Sequence, residues 1–211
     1  MKNFYIILIL FFSFTIYSCA KKSDSSSSSS TTELEGTWQT PCHLPEGSSY
    51  YRIKKLTVSG TNWTDTAEYH SDSSCATDYD LWLTTWGSLS IGDELIYSSY
   101  GSSGGTGHKF TFSLSENTYA LQISGLISYN NTNSYCGLTG WELNTAQSVV
   151  GKTCGSDNMV AIGTAGYGVY FLDGSKLFWS VSSSTYPDSV QTGDNDTFTK
   201  QNNLILSLLA V

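Results

Sequence analysis

The chain has 211 residues, enough for one domain with a substantial core, and only 13% of them are charged. From residue 33 onward 17 Asp and Glu stand against 7 Lys and Arg, a balance of −10 that would repel nucleic-acid phosphates and anionic lipid head groups. We therefore set nucleic-acid binding aside. The abundance of Ser, Thr, Gly, Asn and aromatic residues is typical of an exported β protein with many turns and not of a disordered chain.

The first 18 residues have the pattern of a signal peptide. A short basic start precedes residues 4–16, a run of 13 residues that is apolar except for Ser13 and Thr15, where a spanning helix needs about 20. The segment Ile16-Tyr17-Ser18-Cys19 resembles a bacterial lipobox, at which a precursor is lipidated on cysteine and cut. The resemblance implies a mature protein held to a membrane by acyl chains, such as palmitate, on Cys19. Ala20, in place of Asp, implies the outer membrane, on its periplasmic face or at the cell surface; the alternative is an uncleaved membrane helix.

Residues 19–32 follow as the lipidated cysteine and a Ser-rich stretch. Residues 23–32 contain no apolar side chain, so they cannot bury enough surface to offset the entropy of ordering. We predict a flexible tether that holds a domain formed by residues 33–200 off the membrane. The chain ends in an apolar tail, residues 201–211, which we expect to pack on that domain. The alternative is a segment that covers a ligand or meets a partner.

Within residues 33–200, Gly and Asn recur at short intervals, and apolar residues between them have period two. The pattern predicts strands at 36–42, 51–58, 62–71, 80–91, 109–114, 119–124, 167–172, 176–181 and 197–200. It also predicts a bulge near Lys54 and Lys55, a bend at Gly87, hairpin turns at 115–117 and 173–174, and a brief helix only at 143–150. Closure would remove the exposed edges of such a sheet. We predict an all-β fold, an antiparallel up-and-down barrel of about eight strands, either filled by side chains or holding one small ligand.

Four cysteines remain once Cys19 is assigned to the lipid, and an even set in an oxidising envelope predicts two disulfides. Three pairings are possible among Cys42, Cys75, Cys136 and Cys154. We favour Cys42–Cys75 and Cys136–Cys154, because these close the shortest loops, and each would stabilise by about 3–4 kcal/mol. Zinc is the rival interpretation, but there is no C-x2-C pair and no suitably spaced histidine. We therefore expect no metal and no cofactor.

Gly36-Thr37-Trp38 on the first predicted strand is the G-x-W pattern of lipocalins, in which the Trp packs at the closed end of the barrel. Further segments resemble the same class: Tyr69-His70-Ser71-Asp72, Gly87-Ser88-Leu89-Ser90-Ile91-Gly92, Cys136-Gly137 and Asp173-Gly174. With them, residues 34–200 resemble small lipocalin-like bacterial lipoproteins, whose functions are mostly unassigned. The resemblance implies a calycin-type barrel, and it implies no particular ligand because this fold does not set function.

No motif pairs a nucleophile with a base and an orienting group, so we do not expect an enzyme. Residues 101–105 match the G-x-S-x-G esterase pattern, but they lie in a Gly/Ser loop and not between a buried strand and a helix. A polar loop could offer oxygens to calcium but lacks EF-hand spacing, and a solvated acidic loop is the simpler interpretation. That loop contains Asp188, Asp194, Asn195 and Asp196.

Six Trp, fourteen Tyr and nine Phe exceed what a small core needs. The candidate ligand-binding residues alternate along the predicted strands: Trp63, Tyr69, Trp82, Trp86, Phe110, Phe112 and Tyr119. Ordinary barrel packing is one interpretation, and a cavity lined by aromatic side chains is the other. We expect a membrane-tethered barrel that binds a small apolar or amphipathic ligand in its mouth. The alternative is a protein-interaction module, a surface adhesin or inhibitor that presents Ser/Gly/Tyr-rich loops on a filled barrel.

Overall fold

The structure is a computed structural model, and it describes residues 32–96 and 106–201. The predicted signal peptide, the lipidated Cys19 and nearly all of the predicted tether lie outside the described residues. The esterase-like segment 101–105 and residues 202–211 of the apolar tail lie outside them as well. The structure therefore does not test the predictions made for these segments. Within the described ranges, no helix is both long and apolar enough to cross a membrane.

The described chain is mostly strand, as the alternation of apolar and polar residues predicts. Its strands are β1 (Gly36–Gln39), β2 (Tyr51–Ser59), β3 (Asn62–His70), β4 (Asp78–Leu95), β5 (Thr106–Leu121), β6 (Gln147–Ser148), β7 (Thr153–Cys154), β8 (Asp157–Asn158), β9 (Ala165–Asp173), β10 (Lys176–Ser182) and β11 (Phe198–Lys200). The helical segments are α1 (Ser124–Thr132) and a 3-10 turn, Tyr135–Gly137.

Eight strands form a closed antiparallel barrel. β1 to β5 pair in chain order, β5 pairs with β9, β9 to β11 continue the order, and β11 pairs with β1. The predicted up-and-down barrel is therefore confirmed, and it is compatible with a lipocalin-like fold. The two-residue turn between Asp173 and Lys176 joins β9 to β10 where the sequence predicts a hairpin. The bend predicted at Gly87 coincides with an irregularity in the pairing of β4 with β5 between Gly87 and Ser90.

Three local predictions are wrong. No turn forms at 115–117, because β5 continues to Leu121 and an irregularity in its pairing with β4, between Thr85 and Trp86, absorbs these residues. No helix forms at 143–150, which contains β6 and turns; the helix forms at α1 instead. Only Asn130 of α1 is buried, so the sequence has no apolar stripe there that would predict a helix. The bulge near Lys54 is absent, since β2 pairs with β3 without a register shift.

Apolar side chains fill most of the barrel interior. The buried cluster consists of Leu34, Trp38, Leu56, Val58, Trp63, Leu89, Phe110, Phe112, Tyr170, Leu177, Trp179 and Phe198. Trp38 lies at the end where β1 begins: its Nε1 donates to the carbonyl of Leu34 at 2.8 Å, and the Lys200 ammonium lies 4.9 Å above its ring. The residues before β1 therefore close this end of the barrel.

The connection between β5 and β9 packs as a second, smaller core. This second cluster comprises Tyr119, Leu121, Cys136, Trp141, Val149 and Cys154. The disulfide Cys136–Cys154 ties the 3-10 turn to β7, and Cys42–Cys75 ties the β1–β2 connection to the β3–β4 connection. Both predicted pairings are confirmed. Each disulfide joins two segments that are not paired with each other as strands of the barrel.

Glycine makes room for phenylalanine where β5 meets β9. The register places Phe110 opposite Gly168 and Phe112 opposite Gly166. A Cβ atom on Gly168 would lie 2.1 Å from the Phe110 ring, and one on Gly166 would lie 2.2 Å from the Phe112 ring. The two rings therefore lie against bare backbone, and this lets a barrel of eight strands hold so many aromatic side chains.

Candidate ligand-binding site

A cavity of about 190 Å³ opens into the barrel at the end opposite Trp38. Its mouth lies between the beginning of β9 and the end of β10. Four aromatic side chains form the inner wall: Trp63, Trp86, Phe112 and Trp179. Val160, Thr164, Ala165, Gly166, Val181, Ser182 and Ser183 surround the mouth, and Asp65 completes the wall.

Strand register brings the aromatic wall together. β3 and β4 pair with Trp63 directly opposite Trp86, so both indoles point into the barrel. Trp179 alternates on β10 with Leu177, which is fully buried, and therefore faces inward as well. Phe112 enters the wall because it faces Gly166 across β9.

Trp63 is the centre of this wall. Its ring centroid lies 4.2 Å from that of Trp179, 5.1 Å from that of Phe112 and 6.1 Å from that of Trp86. The first two pairs are edge-on, with interplanar angles of 77° and 67°, an arrangement that aromatic quadrupoles favour. Only 3% of Trp63 is exposed, so its neighbours surround it almost completely.

Asp65 places a carboxylate in an otherwise apolar wall. It follows Trp63 by two residues on β3 and so shares its inward face. Its Oδ1 is closed to solvent and has no hydrogen-bond partner. Burial raises the pKa of Asp65, and this effect exceeds the opposing attraction of Lys54 and Arg52.

The two basic residues near Asp65 are directed elsewhere. The Lys54 ammonium lies 5.6 Å from the centroid of the Phe198 ring, and Nη2 of Arg52 lies 3.4 Å from Nε2 of His43. Neither forms an ion pair with Asp65, and neither lines the cavity. The carboxylate is therefore a buried acceptor whose hydrogen bonds are incomplete.

A second polar pair lies in the core formed by the β5–β9 connection. The Tyr119 hydroxyl donates to Oδ2 of Asp80 at 2.7 Å, and the Trp82 ring stacks on Tyr119 with centroids 4.3 Å apart. Burial raises the pKa of Asp80 to about 6, although the Tyr119 hydrogen bond partly offsets this rise. Burial and the nearby Asp80 carboxylate raise the pKa of Tyr119. Tyr119 and Trp82 therefore pack with Asp80 in this second core.

The structure divides the predicted ligand-binding residues into groups. Three of them, Trp63, Trp86 and Phe112, line the cavity. Phe110 packs beneath it, edge-on to Trp63 with centroids 5.6 Å apart. The remaining three lie elsewhere: Trp82 and Tyr119 in the second cluster, and Tyr69, half-buried, on β3 between Arg52 of β2 and Asp80 of β4.

Sequence reasoning missed Asp65 and Trp179 as site residues. The signal for Asp65 was its alternation with Trp63 in the predicted strand at 62–71, and the signal for Trp179 was its alternation with Leu177. The mouth residues from Val160 to Gly166 carried no such signal, because only the folded β5–β9 connection brings them to the cavity.

Acidic residues form no metal centre in the part of the chain that the structure describes. No three His, Cys, Asp or Glu side chains come together there in a group that could hold a metal ion, and the acidic loop at 188–196 is included in this finding. Comparison with known proteins adds no family: no family model matches the chain, and no curated protein matches it.

Proposed function

We propose that this protein binds a small apolar or amphipathic molecule in the mouth of its barrel, without chemical conversion. The observation that carries the proposal is the cavity of about 190 Å³ walled by Trp63, Trp86, Phe112 and Trp179. An apolar cavity of about 150 Å³ holds a benzene molecule. This cavity therefore suits one ring with a short substituent, and the filled interior beneath it leaves no room for a long acyl chain.

Burial of apolar surface supplies the affinity. A ring of phenylalanine size buries about 150–250 Å², which contributes about 4–6 kcal/mol at about 25 cal/mol per Å². That free energy corresponds to dissociation constants of about 0.04–1 mM. Rigid walls favour binding because the protein loses little conformational freedom when the ligand enters.

We further propose that the barrel is presented at the bacterial outer membrane by acyl chains on Cys19. The support is the lipobox resemblance of residues 16–19 and the Ser-rich segment that follows. An alkyne analogue of palmitate fed to a bacterial expression host should label the wild-type protein. It should not label Cys19→Ser; equal labelling of both proteins would overturn this proposal.

The alternative function, a protein-interaction module, draws on the exposed apolar residues at the mouth. Val160, Ile162 and Val181 are exposed by 37%, 65% and 48%, and two of them line the cavity. A partner protein that inserts one aromatic side chain would use the same cavity and cover these residues. Small molecules and partner proteins would then compete for one site.

The test of the leading proposal uses residues 19–211 with Cys19→Ser, expressed without the predicted signal peptide. Toluene is titrated against the ¹⁵N indole resonances of Trp63, Trp86 and Trp179. Ala165→Trp, at an exposed position in the mouth, should block saturable binding. Ala161→Trp, exposed but outside the cavity lining, is the matched control and should bind as the parent does. A folded parent that shows no saturable shifts at about 5 mM toluene, above the expected range of dissociation constants, would refute ligand binding.

A further inference from the structure

Two polar atoms in the cavity wall have no hydrogen-bond partner. They are Oδ1 of Asp65 and Nε1 of Trp63, both closed to solvent, and both residues line the cavity. The indole N–H is a donor only, whereas an ionised carboxylate is an acceptor only. Buried groups of this kind are normally paired, and each one left unpaired destabilises the structure. Both atoms are closed to the cavity as they stand, but the Asp65 carboxylate belongs to the cavity wall, and a ligand can pair with it once the carboxylate turns.

The polar edge of the ligand therefore needs a hydrogen-bond donor. A hydroxyl group meets this need, because its hydrogen donates to a carboxylate oxygen. Rotation about the last side-chain bond of Asp65 brings either carboxylate oxygen toward the cavity, since this torsion is broad. The aromatic wall around the cavity favours an apolar ring as the remainder of the ligand.

The charges around the cavity exclude charged ligands. An anionic ligand would meet the Asp65 carboxylate directly, and like charges in a buried site repel strongly. A cationic ligand would gain less from Asp65, because Arg52 and Lys54 share the inward face of β2 and already attract that carboxylate. It would also lose its hydration on entry. An uncharged ligand avoids both effects.

We propose that the preferred ligand class is an uncharged aromatic ring bearing a hydroxyl group, of about phenol size, whose hydroxyl donates to the Asp65 carboxylate. This inference rests on the proposed ligand-binding function and specifies its chemistry. Asp65 is the residue that sets the specificity, and the aromatic wall sets the size.

The test compares phenol with toluene on the same Cys19→Ser chain at pH 7, with benzoate and benzylamine as charged probes. The ratio of phenol to toluene affinity should fall at least about tenfold in Asp65→Val, because a hydrogen bond to a buried carboxylate is lost. In Asp65→Asn the ratio should stay within about threefold of the parent value, since the amide oxygen still accepts. Each variant is first checked for a native near-ultraviolet circular dichroism spectrum, and Asp65→Ala, which also removes the acceptor, replaces Asp65→Val if that variant does not fold.

The outcomes separate the two proposals. Toluene binding with the same phenol-to-toluene ratio in parent and Asp65→Val would overturn the ligand class and leave the cavity function standing. Tighter binding of benzylamine or benzoate than of phenol would also overturn the class. Absence of binding for all four probes to folded parent protein would remove the proposed function, and the inference with it.

Discussion

Gly168→Ala tests whether the barrel holds its aromatic side chains against bare backbone. The added Cβ would lie 2.1 Å from Cζ of Phe110, so the ring must retreat by more than about 1 Å to reach ordinary contact. Phe110 is only 1% exposed, and the rings of Trp63 and Trp179 lie 5.6 Å and 5.9 Å from it, centroid to centroid. With no free volume to enter, the ring must strain its neighbours, and we expect a loss of about 2–3 kcal/mol.

Gly166→Ala creates the same clash beside the cavity. Its Cβ would lie 2.2 Å from Cζ of Phe112, but Phe112 borders the cavity of about 190 Å³ and can swing into it. We expect a smaller loss of stability, about 1 kcal/mol. Toluene binding should disappear, because the displaced ring occupies the ligand volume. Retained binding would show that the ring does not move into the cavity.

Urea unfolding followed by tryptophan fluorescence measures both changes. With a slope of about 2 kcal/mol per M, Gly168→Ala should lower the midpoint by about 1–1.5 M. Gly125→Ala is the control: it lies in α1 with no atom within 4 Å of the added Cβ, so it should be neutral or slightly stabilising. A Gly168→Ala protein within about 0.5 kcal/mol of wild type would refute the packing argument, since surface substitutions alone reach that range.

Two further predictions concern the core formed by the β5–β9 connection. Burial raises the pKa of Asp80 from 3.8 to about 6. The folded chain therefore keeps this proton to higher pH than the unfolded chain does. As the pH rises from about 4 to about 6, the protein should lose up to about 3 kcal/mol of stability. Asp80→Asn keeps an acceptor for Tyr119 and should remove this pH dependence from unfolding free energies measured between pH 3.5 and 7.5. A variant whose unfolding free energy depends on pH as that of the wild type does would contradict the prediction. The double substitution Cys136→Ala/Cys154→Ala opens a loop of 18 residues and should cost about 3 kcal/mol in the same urea assay, and a loss below about 1 kcal/mol would be inconsistent with loop-closure entropy.

Local patterns were enough to predict most strands and both disulfides. β3 and β10 place apolar residues at alternate positions, β9 is a short apolar run that ends at the Asp173-Gly174 turn, and each signal lies within a few residues. The two disulfides follow from loop length, which is also a property of the linear chain. The turn predicted at 115–117 does not form, because β5 remains a strand there through its pairing with β4, a contact that is distant in the chain.

The sequence by itself determined that this is a β-rich chain able to close a barrel of about eight strands, because alternation and turn residues act over short distances. The tertiary structure decided which aromatic residues meet. Register placed Trp63 opposite Trp86, ring closure brought Trp179 beside them, and the β5–β9 connection contributed Val160 at the mouth. Only that assembly encloses the carboxylate of Asp65, because burial depends on neighbours that are distant in the chain and is not encoded by any one segment.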